Sequence, residues 1–247
     1  MKIEALEWDS NFFNLRIGRL IIENQQDFDV QEFILQSTLN FDLIYVISNF
    51  KMLNAKIVDA CKLNLTEIMV TMSKPFNKDL YLNEDAPYDF RNEFTENELK
   101  ECYGIAEQVA SVSRFNHEPL IGEKLTKSLY RKWIDNAVNA SFADGIFVEK
   151  NNENIIGIHL IKTSHEEQIG RFTLTAIDQK FNRMGLGSKI WNQSYNYWAK
   201  NSNINKILSP FSFQNKESLN FHLKAGFNKV EDLKYIYHLT TKKNDTI

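Results

Sequence analysis

The chain has little cysteine. Cys61 and Cys102 are its two among 247 residues. They fit no metal-ligand spacing and sit in helix-like surroundings, so buried free thiols are expected and no metal is. The chain also lacks any apolar run of 18 residues, so it offers no candidate membrane span. Nor does it carry a basic run. Its formal net charge is -3, with 29 Lys and Arg against 32 Asp and Glu. That balance argues against nucleic-acid binding by phosphate neutralisation. Lys242 and Lys243 read as a solvated tail. The opening MKIEALEWDSNFF carries acids early and has no long apolar stretch, so no signal peptide is expected and a cytoplasmic location is the default. What remains is ordinary for a soluble globular protein, at 43% hydrophobic and 25% charged residues. This length buries one large core or two smaller ones.

Hydrophobic spacing divides the chain into two expected domains, 1–83 and 84–247. In the first, 16–22 and 41–47 read as strands, 30–39 and 54–63 as helices, and 66–72 as a strand. The stretch between Lys74 and Phe90 holds Pro75, Asn77, Asn83, Pro87 and several acids, and reads as a linker. In the second, Thr95 followed by Glu98 predicts a capping box and a helix through Ala110. A helix over 123–139 follows, then strands at 145–148, 155–161 and 170–177. The remaining elements are a helix over 187–200, a strand over 206–213, a helix over 216–224 and a strand over 227–239. Trp8, Phe12, Phe13, Tyr130 and Trp133 read first as packing residues.

Two stretches carry the chemistry. LTAIDQKFNRMGLG, Leu174 to Gly187, reads as a strand, a glycine-bearing loop and a helix start. Such a loop offers backbone N–H groups to a phosphate, and the helix adds the positive end of its dipole. NKESLNFHLKAGF, Asn215 to Phe227, reads as a short helix with Asn215 at its N-cap and Gly226–Phe227 opening the next strand. In this order and spacing the two resemble the coenzyme A signature of the GNAT N-acyltransferases.

The resemblance implies an α/β (α+β) GNAT fold with a mixed, splayed central sheet, preceded by a partial GNAT-like α/β unit. It implies coenzyme A or acyl-CoA as cosubstrate. Asn182, Arg183, Met184, Gly185, Leu186, Gly187 and Ser188 would hold the diphosphate, with Asn182 standing where the family has Arg or Gln. Backbone groups of Ala176 and Ile177 would pair with the pantetheine arm, and an N–H near Ile177 would serve the oxyanion. Asn215 would contact the arm as well as cap its helix. His222 occupies the place of the family's acidic Tyr. As an imidazolium it would protonate the leaving thiolate. Glu149 and His159 are the candidate bases, with a water relay as the alternative. A histidine inside the apolar run IIGIHLI is more often a core residue.

The segment from Ser113 to Asn139, with its SRF start, and the stretch from Trp8 to Leu20 resemble the dTDP-fucosamine acetyltransferase group. That resemblance implies acylation, by acetyl or a short hydroxyacyl group, of a dTDP-linked amino-dideoxysugar for surface polysaccharide. Arg114 would meet the diphosphate, Phe115 a ring face, and Asn116 and His117 the sugar hydroxyls. Arg114 paired with an acid and Phe115 in the core is the competing reading. No cysteine is placed for an acyl-enzyme, so direct attack in a ternary complex is expected. A peptide or small-amine acceptor, or a non-catalytic acyl-CoA sensor, are the rival functions. The expected partner is the small-molecule nucleotide sugar, with no nucleic acid and no membrane, and a homodimer follows by analogy.

Overall fold

The computed structural model describes residues 2–82, 88–139 and 142–242. The first part holds β1 (Glu4–Ala5), α1 (Glu7–Phe13), β2 (Ile17–Ile22), α2 (Val30–Asn40), β3 (Leu43–Asn49), α3 (Ala55–Cys61) and β4 (Asn64–Pro75). Then come α4 (Glu96–Ala110), α5 (Gly122–Val138), β5 (Gly145–Asn151), β6 (Asn154–Ser164) and β7 (Ile169–Ile177). The chain closes with α6 (Leu186–Asn201), β8 (Lys206–Ser212), α7 (Lys216–Lys224) and β9 (Lys229–Thr240).

All the strands join one mixed sheet in the order β1-β2-β3-β9-β4-β8-β7-β6-β5. β9 enters between β3 and β4, antiparallel to both. The strand that ends the chain is therefore flanked by strands of its first third. The expected boundary at 83 and 84, and Asn83 and Pro87 of the linker, lie outside the described residues. Helices cover both faces. Toward the β5–β7 end, α4 and α5 pack on one face around Cys102, Ile105, Ile134 and Leu160. On the other face α6 and α7 pack around Phe172, Trp191, Trp198 and Phe227. Phe33 of α2 and Cys61 of α3 join a separate core with Ile44, Val46 and Tyr237.

Local signals explain most of these elements. The capping box forms: Thr95 Oγ1 accepts the Glu98 N–H at 3.3 Å and Glu98 accepts the Thr95 N–H at 3.0 Å. That N–H, with Lys150 and the nearby Arg91, holds the Glu98 carboxyl down to about 2. Both cysteines are buried free thiols. Tyr130 is buried and stacks at a tilt on Trp133, 4.6 Å between ring centres. One helix was not expected. Residues Glu7–Phe13 form α1, which starts at Leu6 with no side-chain cap. Its Phe13 is buried, but Trp8 is 45% exposed and lies flat on Phe12 at 5.2 Å. Trp8 is thus a surface residue rather than a core one.

The sheet opens at one place. β7 and β8 run parallel and pair only from Ile169 to Arg171 with Lys206 to Leu208. Past that point β7 follows β6 as far as Ile177, and β8 follows β4 as far as Ser212. Two features favour the split. Thr173 is an extra residue between the pairs Ile161–Phe172 and Leu160–Leu174, a bulge that bends β7 away. Pro210 lies in β8 beyond the last β7 pair. A proline in an inner strand is tolerated where its nitrogen faces an unpaired edge.

Candidate functional site

The loop at the open end of β7 begins with a single 3-10 turn, Gln179–Phe181, whose start is capped by Asp178 accepting the Lys180 N–H at 3.0 Å. Asn182 is extended, and Arg183 and Gly185 take φ values of 66° and 79°. A left-handed φ costs a non-glycine residue about 1 kcal/mol and Gly185 nothing. Among the described residues no side chain caps α6. Its first N–H groups meet no side-chain cap among the described residues and sit at the positive end of a 16-residue helix. Asn182, Arg183, Met184, Gly185 and Ser188 are exposed around them, with Leu186 and Gly187 half-buried. This arrangement fits a diphosphate.

The two glycines have different reasons. A Cβ on Gly185 would meet no protein atom within 4 Å, so within the chain it is the backbone angle that favours glycine. A Cβ on Gly187 would meet the Phe221 ring at 3.0 Å, so this residue lets α6 approach α7. Arg183 leans to α7 and pairs with Glu217 at 3.3 Å, both well exposed. Asn215 caps α7, accepting the Ser218 N–H at 3.0 Å. Ala176 and Ile177 lie on the β7 edge that faces no strand, their pairs being only on β6. The N–H groups near Ile177 are at the loop end of the opening. Thr173, whose buried Oγ1 has no partner among the described residues, is at the closed end.

The three candidate acid–base residues have defined surroundings. Glu149 is 2% exposed. Lys189 of α6 donates to one of its oxygens at 2.6 Å and Gln193 to the other. Both oxygens are engaged, so the structure makes Glu149 an anchor for α6 rather than a free base. His159 is fully buried beside Phe172 and Trp191, and burial pushes it down to about 3. Its Nδ1–H donates to the Leu174 carbonyl at 3.2 Å, with Thr175 Oγ1 at 2.9 Å. It is the core histidine of the competing reading.

His222 differs from expectation in its charge. It is 4% exposed and stacked on Phe211 with 4.0 Å between centres. Burial pushes it down to about 4, so it is neutral at pH 7. Nδ1 lies 2.7 Å from the Ser218 carbonyl, which only accepts, so Nδ1 carries the proton. Nε2 is then the acceptor for the Ser209 hydroxyl at 2.7 Å. At rest the site therefore holds a neutral ring and not the imidazolium expected.

The segment 108–117 crosses the mouth of the opening. At one end Gln108 Oε1 accepts the N–H of Gln179, in the loop after β7, at 2.9 Å. At the other Arg114 pairs at 2.8 Å with Glu67 of β4. Glu67 lies just beyond Met69, the β4 partner of Ser212 at the end of β8. Phe115 is 6% exposed and packs against Phe13 and Tyr45, so it is a core residue and not a face for a ligand. Arg114 stacks on Phe115 at 4.2 Å. Asn116 donates to the Ser111 carbonyl at 3.3 Å, and His117 is exposed. Ser209, Gln108, Glu67 and Thr173 were not expected from the sequence. A lone serine between Ile207 and Phe211 on a core-facing strand edge was the available signal for Ser209.

Comparison with known proteins bears on the family and the fold. The family model for an acetyltransferase (GNAT) domain matches residues 98–247. No curated protein matches the chain. The structure is similar to that of a functionally unknown conserved protein from Staphylococcus epidermidis ATCC 12228. The TM-score is 0.59 at 11% identity, over 91% of this chain and 83% of that one. It is also similar to a tandem GNAT protein from the clavulanic acid biosynthesis pathway. There the TM-score is 0.51 at 10% identity, over 87% of this chain and 69% of the other. At these identities the likeness is one of fold.

Proposed function

The chain belongs to the GNAT acetyltransferase family, and from that premise we propose that it acylates the amine of a dTDP-linked amino-dideoxysugar. It is an acyl-CoA-dependent N-acyltransferase with an α/β fold built around the opened sheet. The observation that carries the donor site is the parting of β7 from β8 beside the uncapped start of α6. The loop 182–188 would hold the diphosphate of coenzyme A. The free edge of β7 would pair with the pantetheine arm as an added strand does. The group supplies an activated acyl thioester. The chain orders it, excludes water with the Trp191 and Phe211 layer, and presents N–H donors where negative charge develops on the acyl oxygen.

The acceptor reading rests on the two segments that resemble the amino-sugar group. They form one unit in the fold. Phe13 of the first packs on Phe115 of the second with 5.7 Å between ring centres. Arg114 at the start of the second, with Gln108 just before it, borders the opening from which an acceptor would approach the thioester. Arg114 then recognises the acceptor's diphosphate by exchanging its contact with Glu67. Phe115 supports Arg114 from beneath, by stacking, instead of touching the sugar. A 3-amino-3,6-dideoxy- or 4-amino-4,6-dideoxyhexose bearing dTDP is the proposed substrate, with acetyl or a short hydroxyacyl group transferred.

The test is thiol release from acetyl-CoA with a panel of dTDP-aminosugars, spermidine, an aminoglycoside and a peptide, with products weighed by mass spectrometry. The reading expects an acylated nucleotide sugar. Acylation of spermidine or the peptide instead would overturn the acceptor and keep the donor site.

A further inference from the structure

Ser209 is the first residue of β8 past its last pair with β7, at the closed end of the opening. A donor arm laid along β7 from the loop would cover about 17 Å of strand edge before reaching that level. Its far end, where the thioester is, would arrive beside the bulge at Thr173 and the hydroxyl of Ser209. That hydroxyl already points its proton at His222 Nε2, 2.7 Å away. The ring is fixed from behind by the Ser218 carbonyl at 2.7 Å and by the stacked Phe211. A histidine is shorter than a tyrosine. A single hydroxyl interposed between ring and opening restores the reach.

We propose that Ser209 is a catalytic residue of the acyl transfer, relaying the acceptor's proton to His222 and then back to the departing sulfur. This rests on the coenzyme A reading above. As the C–N bond forms, the amine gives its proton to Ser209 Oγ, and Oγ gives its own to His222 Nε2. As the C–S bond breaks, Nε2 returns that proton to Oγ, and Oγ passes one to the thiolate. The amine proton ends on sulfur, and Ser209 and His222 end as they began. Burial of the ring, which holds it neutral beforehand, makes the transient imidazolium a ready donor for the second half.

The experiment measures acetyl-CoA affinity by calorimetry and thiol release, to water and to the dTDP-aminosugar panel, for the unmodified protein, Ser209→Ala, Ser209→Thr and His222→Phe. Ser209→Ala should bind acetyl-CoA within about twofold of the parent and lose about 100-fold in release rate. Ser209→Thr, which keeps a hydroxyl, should recover most of that loss. Combining Ser209→Ala with His222→Phe should cost no more than either change alone. A bowed proton inventory for the unmodified protein, showing two protons in flight, should vanish in Ser209→Ala. Full activity in Ser209→Ala, or a linear inventory in the parent, overturns the relay and leaves the donor site standing. Absence of any acetyl-CoA binding by the parent overturns the donor site first. Binding without thiol release to water, to the dTDP-aminosugars or to spermidine, the aminoglycoside and the peptide overturns catalysis, and the relay with it.

Discussion

Lys189 Nζ lies 2.6 Å from a carboxylate oxygen of Glu149, and this contact ties the first turn of α6 to the end of β5. Gln193, one turn further on, holds the other oxygen. The loop that starts α6 is positioned through this anchor. Glu149→Gln should therefore lower stability by about 1–3 kcal/mol and weaken acetyl-CoA binding several-fold. At saturating donor, kcat should stay within about threefold of the parent. Steady-state kinetics with calorimetry separates the two. A 100-fold fall in kcat at unchanged affinity would make Glu149 the base instead.

Gly185 is held at a φ of 79° with open space around its missing Cβ. Gly185→Val should force the loop to another conformation, since β-branched residues resist that angle. The expected loss in acetyl-CoA affinity is about tenfold, or about 1.4 kcal/mol. Calorimetry reads it directly. An unchanged affinity would mean the loop amides do not hold the donor.

His159 and His222 make stability fall in acid. Both stay neutral when folded, to about 3 and about 4. Unfolded, each takes a proton near pH 6.5. As pH falls below about 6.5 the unfolded chain binds protons that the folded chain refuses. Each ring then removes about 1.4 kcal/mol per pH unit until its folded value is reached. Above about 6.5 neither adds a slope. Urea midpoints at pH 7.5, 5.5 and 4.5 should fall steeply below 6.5, and His159→Gln should flatten part of the fall. A His159→Gln protein with the parent's slope would show that His159 is not a buried neutral ring.

Arg114 sits 2.8 Å from Glu67, both largely shielded from solvent. Arg114→Ala strands that carboxylate and should cost about 2–4 kcal/mol of stability. Glu67→Gln should free the guanidinium for a ligand, so it should lower KM for a dTDP-aminosugar while leaving acetyl-CoA affinity alone. A KM that does not move would detach Arg114 from acceptor recognition.

Much of the fold was legible because its signals are local. The capping box Thr95–Glu98 and the helix Lys216–Lys224 behind Asn215 are set by residues within one turn of each other. The glycine-bearing loop was legible for the same reason. α1 was not, because Leu6 gives no capping signal. The place of β9 was not, because its pairing of Leu43 with Thr240 joins opposite ends of the chain. The charge of His222 was not, because it is decided by burial, here under the stacked Phe211, which the spacing of its own helix does not reveal. Phe115 and Arg114 were readable only as a pair of alternatives. The structure shows both of the packing alternatives, Phe115 in the core and Arg114 on an acid.

The most direct test of the donor site is amide chemical-shift mapping on the isotope-labelled protein as acetyl-CoA is added. The account expects large shifts at the N–H groups from Arg183 to Ser188 and along β7 from Thr173 to Ile177, and smaller ones at Ser209 and Asn215. Saturating shifts confined to other surfaces, with those amides unmoved, would contradict it.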